Sequence, residues 1–274
     1  MDRSGGEMRE LLGIYWMQFK TQLAVQFQYR VAMLIWLIGM VVEPVIYLVV
    51  WSTVARAQGG SVGSFGTGDF AAYYIVLMIV NHLTFTWIMW EYEYYVKSGT
   101  LAGLLLRPIH PIHKDVAENL AYKALTLTVL VPTALVLTWA FRPTFQTTWW
   151  AALGGVLAVL LAMVLRFMAE WSLALAAFWT TRVNAFNQMY FVILLFFSGR
   201  LAPLELFPRP VQVAADFLPF RWMLSFPVEL WLGRLTLQEM LTGYLYQIGW
   251  SVAVFLLLQF IWQAGVRRFS AVGS

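Results

Sequence analysis

The 274-residue sequence contains no cysteine. Disulfide staples, a thiol nucleophile and a cysteine-ligated metal site are therefore excluded. Histidine is nearly as scarce, with only His82, His110 and His113. Charged residues make up 12% of the chain, about half the share usual in soluble proteins. The phosphate-cradling pattern G-x-x-x-x-G-K-[ST] is absent, and so is the zinc pattern H-E-x-x-H. The first thirty residues mix acids, bases and glutamines, which is not the pattern of a secretory signal. No internal repeat and no soluble domain are visible.

What fills the chain instead is apolar. Such residues reach 61%, and the mean hydropathy is +0.69. A soluble fold of this size has too little interior to hide that much apolar surface. The composition predicts an all-α membrane protein, because helices satisfy their backbone groups within lipid. About 20 apolar residues cross a bilayer core, and six such segments are readable. They run near Val31–Ala55, Phe70–Trp90, Ala117–Phe141, Trp149–Thr180, Ala185–Leu201 and Tyr244–Val266. The fourth is too long to stand straight and is expected to tilt or to extend past the surface. With both termini cytoplasmic, eleven basic residues fall inside and six outside, Arg166 lying within a span. All four lysines, Lys20, Lys97, Lys114 and Lys123, fall inside. This sidedness accounts for the net charge of +4 without invoking nucleic acid. It also predicts a multi-pass protein of the cell (inner) membrane.

Three pieces do not span. Before the first segment, Leu12, Trp16, Phe19, Leu23 and Phe27 recur on one helical face, which predicts an amphipathic helix lying in the membrane plane over residues 1–30. Between spans two and three lies a short apolar cytoplasmic helix, Thr100 to Leu106, started by Ser98 or Gly99 and stopped by Pro108. Asp115 is expected to cap the third span. Outside, between about Arg200 and Thr242, sit Pro203, Pro208, Pro210, Pro219 and Pro227. The apolar pieces between these prolines are too short to span, so a re-entrant segment is expected there.

Polar residues within spans are costly and therefore informative. Arg166 and Glu170 are four apart and share a helix face. They read either as a neutralised pair that locks packing or as a polar element lining a substrate route. Glu43, followed by the helix-kinking Pro44, reads as an unpaired and protonated carboxylate, a substrate contact or a packing partner. Asn81 and His82 read as interhelical hydrogen-bonding groups. His110 and His113 are read as solvated loop residues, since Pro111 breaks the helix that would align them. Glu91, Glu93, Asp115 and Glu118 show no metal-ligand spacing and are expected to form a solvated face. Gly154, Gly155, Ala158 and Ala162 give span four a thin face for close packing, within the bundle or at a dimer seam.

Two stretches carry a resemblance. The cytoplasmic VKSGTLAGLLLRPIHP and the external FFSGRLAPLELFPRP, followed by FLPFRWMLSFPVELWLG, resemble the permease subunits of ABC-2-type ABC transporters, closest to a small six-span branch of unassigned substrate. The resemblance covers essentially the whole chain and makes it a single transmembrane domain: residues 1–30 in plane, 31–266 a six-span bundle and 267–274 a cytoplasmic tail. It implies no catalytic residue and no cofactor on this chain, with ATP and Mg on a separate ATP-binding subunit. A second permease subunit, identical or homologous, would complete the pathway. By resemblance, Gly99, Leu101, Leu104, Leu105, Leu106 and Pro108 would dock in a groove on the ATPase. Ser198, Gly199, Pro203 and Pro208 would help close the outer end. Most such permeases export. The alternatives from other classes are an integral membrane enzyme acting on lipids, and a passive channel.

Overall fold

The computed structural model describes residues 3–180 and 183–268; residues 1–2, Thr181, Arg182 and the tail 269–274 lie outside them. An amphipathic helix α1 (Arg3–Gln28) leads into α2 (Arg30–Ala57). A small antiparallel hairpin of β1 (Ser61–Val62) and β2 (Phe65–Gly66) turns the chain into α3 (Thr67–Thr84). Helices α4 (Ile88–Lys97), α5 (Thr100–Leu105), α6 (Pro111–Phe141) and α7 (Trp149–Ala174) follow. A 3-10 turn, Leu175–Phe178, continues directly from α7, so the long fourth segment stays helical and tightens in its last four residues. Then come α8 (Val183–Phe197), the short helices α9 (Arg209–Phe217), α10 (Pro219–Met223) and α11 (Ser225–Trp231), and the long α12 (Leu237–Arg268).

Among the described residues, five stretches are long and apolar enough to cross a membrane: Leu34–Ala57, Thr67–Lys97, Pro111–Phe141, Trp149–Phe178 and Leu237–Arg268. The remaining expected span, α8, has 15 residues and measures about 22 Å, less than the ~30 Å hydrocarbon thickness.

The bundle is organised around α3. From Phe70 to Asn81 every residue but Ile79 is buried, the mark of a helix surrounded on all sides. It packs on α2, α6, α7 and α11. Helix α2 touches the bundle along one stripe, burying Leu37, Pro44, Leu48, Ser52 and Ala55, which recur at helical spacing. The caps follow local rules. His110 precedes Pro111 at the start of α6 and accepts from Ile112 N–H at 3.2 Å. Thr236 and Glu239 bond reciprocally at the start of α12, at 2.8 and 3.3 Å, a capping box.

The thin face of α7 is consumed inside the bundle. Ala158 and Ala162 are fully buried. At Gly155 an added Cβ would overlap the Trp231 indole, whose Nε1 donates to Ala152 O at 3.0 Å. Phe226 occupies the space over Gly243 of α12 in the same way. The α10–α11 part of the proline-broken segment thus lies in protein, with Trp222, Met223, Phe226, Val228 and Leu230 buried, while Val213 and Phe217 of α9 are exposed.

Helix α1 packs along α6, and Tyr15 meets His113 Nδ1 at 2.5 Å. Its Leu12, Trp16 and Phe27 stay exposed, while Phe19 and Leu23 of the same expected face are half-buried.

Candidate functional site

The second span is not continuous. Helix α3 stops at Thr84, Phe85 takes an extended conformation, and α4 resumes after Trp87. A break in the interior frees backbone groups that must find partners. Each partner comes from a neighbouring helix. Phe85 O accepts from Lys123 Nζ at 3.0 Å and from Asn119 Nδ2 at 3.2 Å. Thr86 N–H and Oγ1–H both donate to Glu170 Oε2, at 3.2 and 2.7 Å.

Arg166 and Glu170 form the anchor of this arrangement. They pair at 2.7 Å, and both side chains are fully buried. Glu170 Oε1 also accepts from Tyr190 O–H at 3.2 Å. Arg166 Nη1 donates to Asn81 Oδ1 at 2.8 Å and to Thr84 Oγ1 at 3.0 Å. The pair therefore does more than neutralise itself. It ties α7 to the end of α3 and to Thr86 within the break. His82 Nε2 meets Thr126 Oγ1 of α6 at 2.6 Å, so Asn81 and His82 both make the interhelical bonds expected of them. Lys123 was expected on the cytoplasmic surface, and it is instead buried at the break. No proline or glycine marks Phe85–Trp87, so the interruption left no signal in the sequence.

A cavity of about 470 Å³ opens beside the break, between α2, the α3–α4 junction and α8. Trp36, Trp87, Trp90 and Phe191 line it, Asn81 borders it, and Glu43 and Arg200 stand at its polar edge. Here the expectation for Glu43 is corrected. The carboxylate is not alone: Arg200 Nη2 lies 2.5 Å from its Oε2. The chain returns to Glu43 from 157 residues away, a contact no local pattern announces.

Beyond α8 the chain makes a tight turn at Ser198–Leu201. Gly199 has φ +79, a left-handed conformation that favours glycine. Tyr73 O–H donates to Gly199 O at 2.7 Å, Tyr74 O–H to Leu201 O at 2.8 Å, and Trp51 Nε1 to the same oxygen at 3.0 Å. Ser198 is buried, and Pro203 is buried at the start of the 3-10 turn Leu204–Leu206. Pro208 is exposed and starts α9. The four expected gate residues thus divide between a clamped turn and an exposed corner.

At the other end, Gly99 with φ +73 starts α5. Leu101 and Leu104 face inward at 0% and 6% exposure, while Leu106 is 87% exposed. Gly99 and Leu105 are half-buried, and Arg107 and Pro108 are exposed. Six residues cannot all serve one outward contact on so short a helix. The surface on offer is Leu106–Pro108 with the edges of Gly99 and Leu105.

Of the four acidic residues expected on a solvated face, Glu93 pairs with the half-exposed Lys97, and the other three gather inward. Glu91, Asp115 and Glu118 bring ligand atoms within 4.8 Å of one another, with Asp115 buried. Asp115 does not cap α6. Its Oδ2 accepts from Tyr92 O–H at 3.0 Å and Trp171 Nε1–H at 2.9 Å. Lys114 Nζ stands 2.7 Å from Glu118 and 3.8 Å from Asp115. The cluster therefore already holds a cation of its own. His110 is no free loop residue either. Its ring lies 4.3 Å from that of Trp262, and burial, with His113 adding to it, pushes its pKa below the usual imidazole range.

Residues 41–273 match a family model described as ABC-2 family transporter protein. No curated protein matches the chain.

Proposed function

This chain belongs to the ABC-2 transporter family, and on that premise we propose that it is the permease of an ATP-driven exporter moving a hydrophobic or amphipathic substrate. The observation that carries the reading is the extent of the match, which runs from the middle of α2 to beyond α12. Family membership implies association with an ATP-binding subunit. ATP and Mg are assigned to that subunit, because this sequence has no phosphate loop of the kind that cradles them.

In the proposed cycle the ATP-binding subunits meet the exposed tip Leu106–Pro108 from the cytoplasm. Their closure pushes α5, which packs on α4. Helix α4 is joined to α3 only through the non-helical Phe85–Trp87 link, so it tilts without dragging α3 along. The cavity beside that link changes shape as a result. The clamped turn at Gly199 and the buried α10–α11 pieces close the outer end. Two permease subunits, identical or homologous, form the pathway, with both termini cytoplasmic in the inner membrane. Helix α8 is counted as the fifth of six crossings, its short length met by local thinning of the bilayer.

Co-expression with the ATP-binding protein encoded nearest this chain tests the reading. The expected result is co-purification of the two and ATP hydrolysis that depends on the permease. Purification of the folded chain without any ATP-binding partner, together with unaltered ATP hydrolysis, would overturn it. The lipid-enzyme reading gains one observation, the gathering of Glu91, Asp115 and Glu118. Two of its carboxylates are already committed, Glu118 to Lys114 and Asp115 to Tyr92 and Trp171. Divalent-metal-dependent turnover of lipid by the chain alone would select it.

A further inference from the structure

Building on the transport reading, we infer that the cavity beside the helix break recognises an amphipathic organic cation. The first observation is the composition of its wall. Trp36 and Trp87 meet edge to face at 5.4 Å, Trp87 and Trp90 lie 5.4 Å apart, and Trp90 stacks on Phe191 at 5.2 Å. Four rings from three parts of the chain thus form one continuous surface. Aromatic faces carry negative potential and attract ammonium and phosphonium groups, most strongly where water is excluded.

The second observation sets the sign of the ligand. One carboxylate, Glu43, and one guanidinium, Arg200, stand at the edge of the cavity. They are paired, but not equally accessible: the Glu43 side chain is 36% exposed and that of Arg200 20%. The acid is the outer partner. A cation approaching along the rings reaches Glu43 with the pair intact. An anion reaches Arg200 only by displacing the carboxylate. Behind the wall, Arg166 faces the Phe85 ring at 5.6 Å, and its charge is countered by Glu170 at 2.7 Å. The volume of about 470 Å³ falls in the range of small-molecule sites and leaves the apolar part of the ligand against the indoles.

Tetraphenylphosphonium and tetraphenylborate, matched in size and opposite in charge, are the probes. Binding is measured by equilibrium dialysis on the full chain in zwitterionic lipid nanodiscs, with empty discs as the blank. The phosphonium is expected to bind saturably and the borate not. Glu43→Gln should weaken phosphonium binding by about tenfold, the loss of one charge-assisted contact. Arg200→Gln should preserve or tighten it, because it frees the carboxylate. The double variant Glu43→Gln with Arg200→Gln leaves no unpaired charge behind and should still bind weakly, which separates ligand loss from misfolding. Equal binding of the borate, or unchanged binding in both Glu43 variants, overturns the inference. So does a cavity sealed by a second copy: Val192→Cys, placed in this cysteine-free chain with all four rings kept, would cross-link between copies with no competition from the phosphonium. None of these readings involves ATP. Their failure leaves the permease assignment standing, and absence of an ATP-binding partner leaves the binding result standing.

Discussion

Thr86 is held by Glu170 through two hydrogen bonds to one carboxylate oxygen, from its amide at 3.2 Å and from its hydroxyl at 2.7 Å. A side chain of α7 thereby supplies the partner that α3 cannot give its own backbone. The break in the second span persists because two helices supply three side chains to it: Glu170 from α7, and Asn119 and Lys123 from α6.

Glu170→Gln should therefore be among the most damaging isosteric changes in the chain. It leaves Arg166 buried without its counter-charge, a loss of about 3–5 kcal/mol in buried pairs. The thermal midpoint in detergent should fall sharply. Arg166→Gln combined with Glu170→Gln should cost less than the sum of the two single changes, as expected for coupled groups. Additive losses would show that the two residues stabilise the fold independently.

Gly199→Ala should destabilise the external turn by about 1–3 kcal/mol, from strain at positive φ and from the Tyr73 hydroxyl that its Cβ would meet. Adding Tyr73→Phe removes the obstructing oxygen and should return only part of the loss, because the backbone strain and the Ser225 contact remain and the hydrogen bond to Gly199 O is lost. Full recovery in the double variant would show that crowding alone was responsible. Thermal unfolding of the three proteins gives the comparison.

The two faces of α5 should respond oppositely to aspartate. Leu106→Asp places charge on an exposed residue and should leave folding intact while weakening retention of the ATP-binding subunit. Leu101→Asp puts charge at a buried position and should abolish folded protein altogether. Yield, gel-filtration profile and pull-down distinguish the cases. Retention unaffected by Leu106→Asp would place the partner contact elsewhere.

Gly155→Ala should cost about 1–3 kcal/mol through overpacking against the Trp231 indole. The reciprocal change, Trp231→Phe, removes the donor to Ala152 O and opens space. The combination should be better tolerated than Gly155→Ala alone. If Gly155→Ala is silent by thermal unfolding, the close approach of α7 and α11 is not needed for stability.

Much of this architecture was legible because a bilayer imposes simple rules. Hydropathy located the five long spanning helices and α8, and proline located the broken external segment. Helical spacing paired Arg166 with Glu170 and placed Leu12, Trp16, Phe19, Leu23 and Phe27 on one face of α1, of which Phe19 and Leu23 are half-buried and the others exposed. What escaped the sequence depends on contacts distant along the chain. The break at Phe85–Trp87 carries no proline or glycine, and it is sustained by Glu170 from 84 residues away. Arg200 returns to Glu43 from 157 residues away. Lys123 read as one more cytoplasmic charge because nothing local reveals that it faces a freed carbonyl. Glu91, Asp115 and Glu118 lack helical spacing as a set, since they come from α4 and α6, and only the folding of the two helices together unites them.

Helix α3 is enclosed by protein along most of its length, whereas α2 meets the rest along a single stripe. Mutational tolerance should therefore differ greatly between two segments that look alike in hydropathy. A library randomised over apolar residues at the outward positions of α2, such as Ile35, Ile38 and Ile46, should be largely permissive, since lipid accepts many side-chain shapes. The same library at Tyr73, Leu77 or Val80 should be purged almost to the original residues, since there each neighbour is another side chain with a shape of its own.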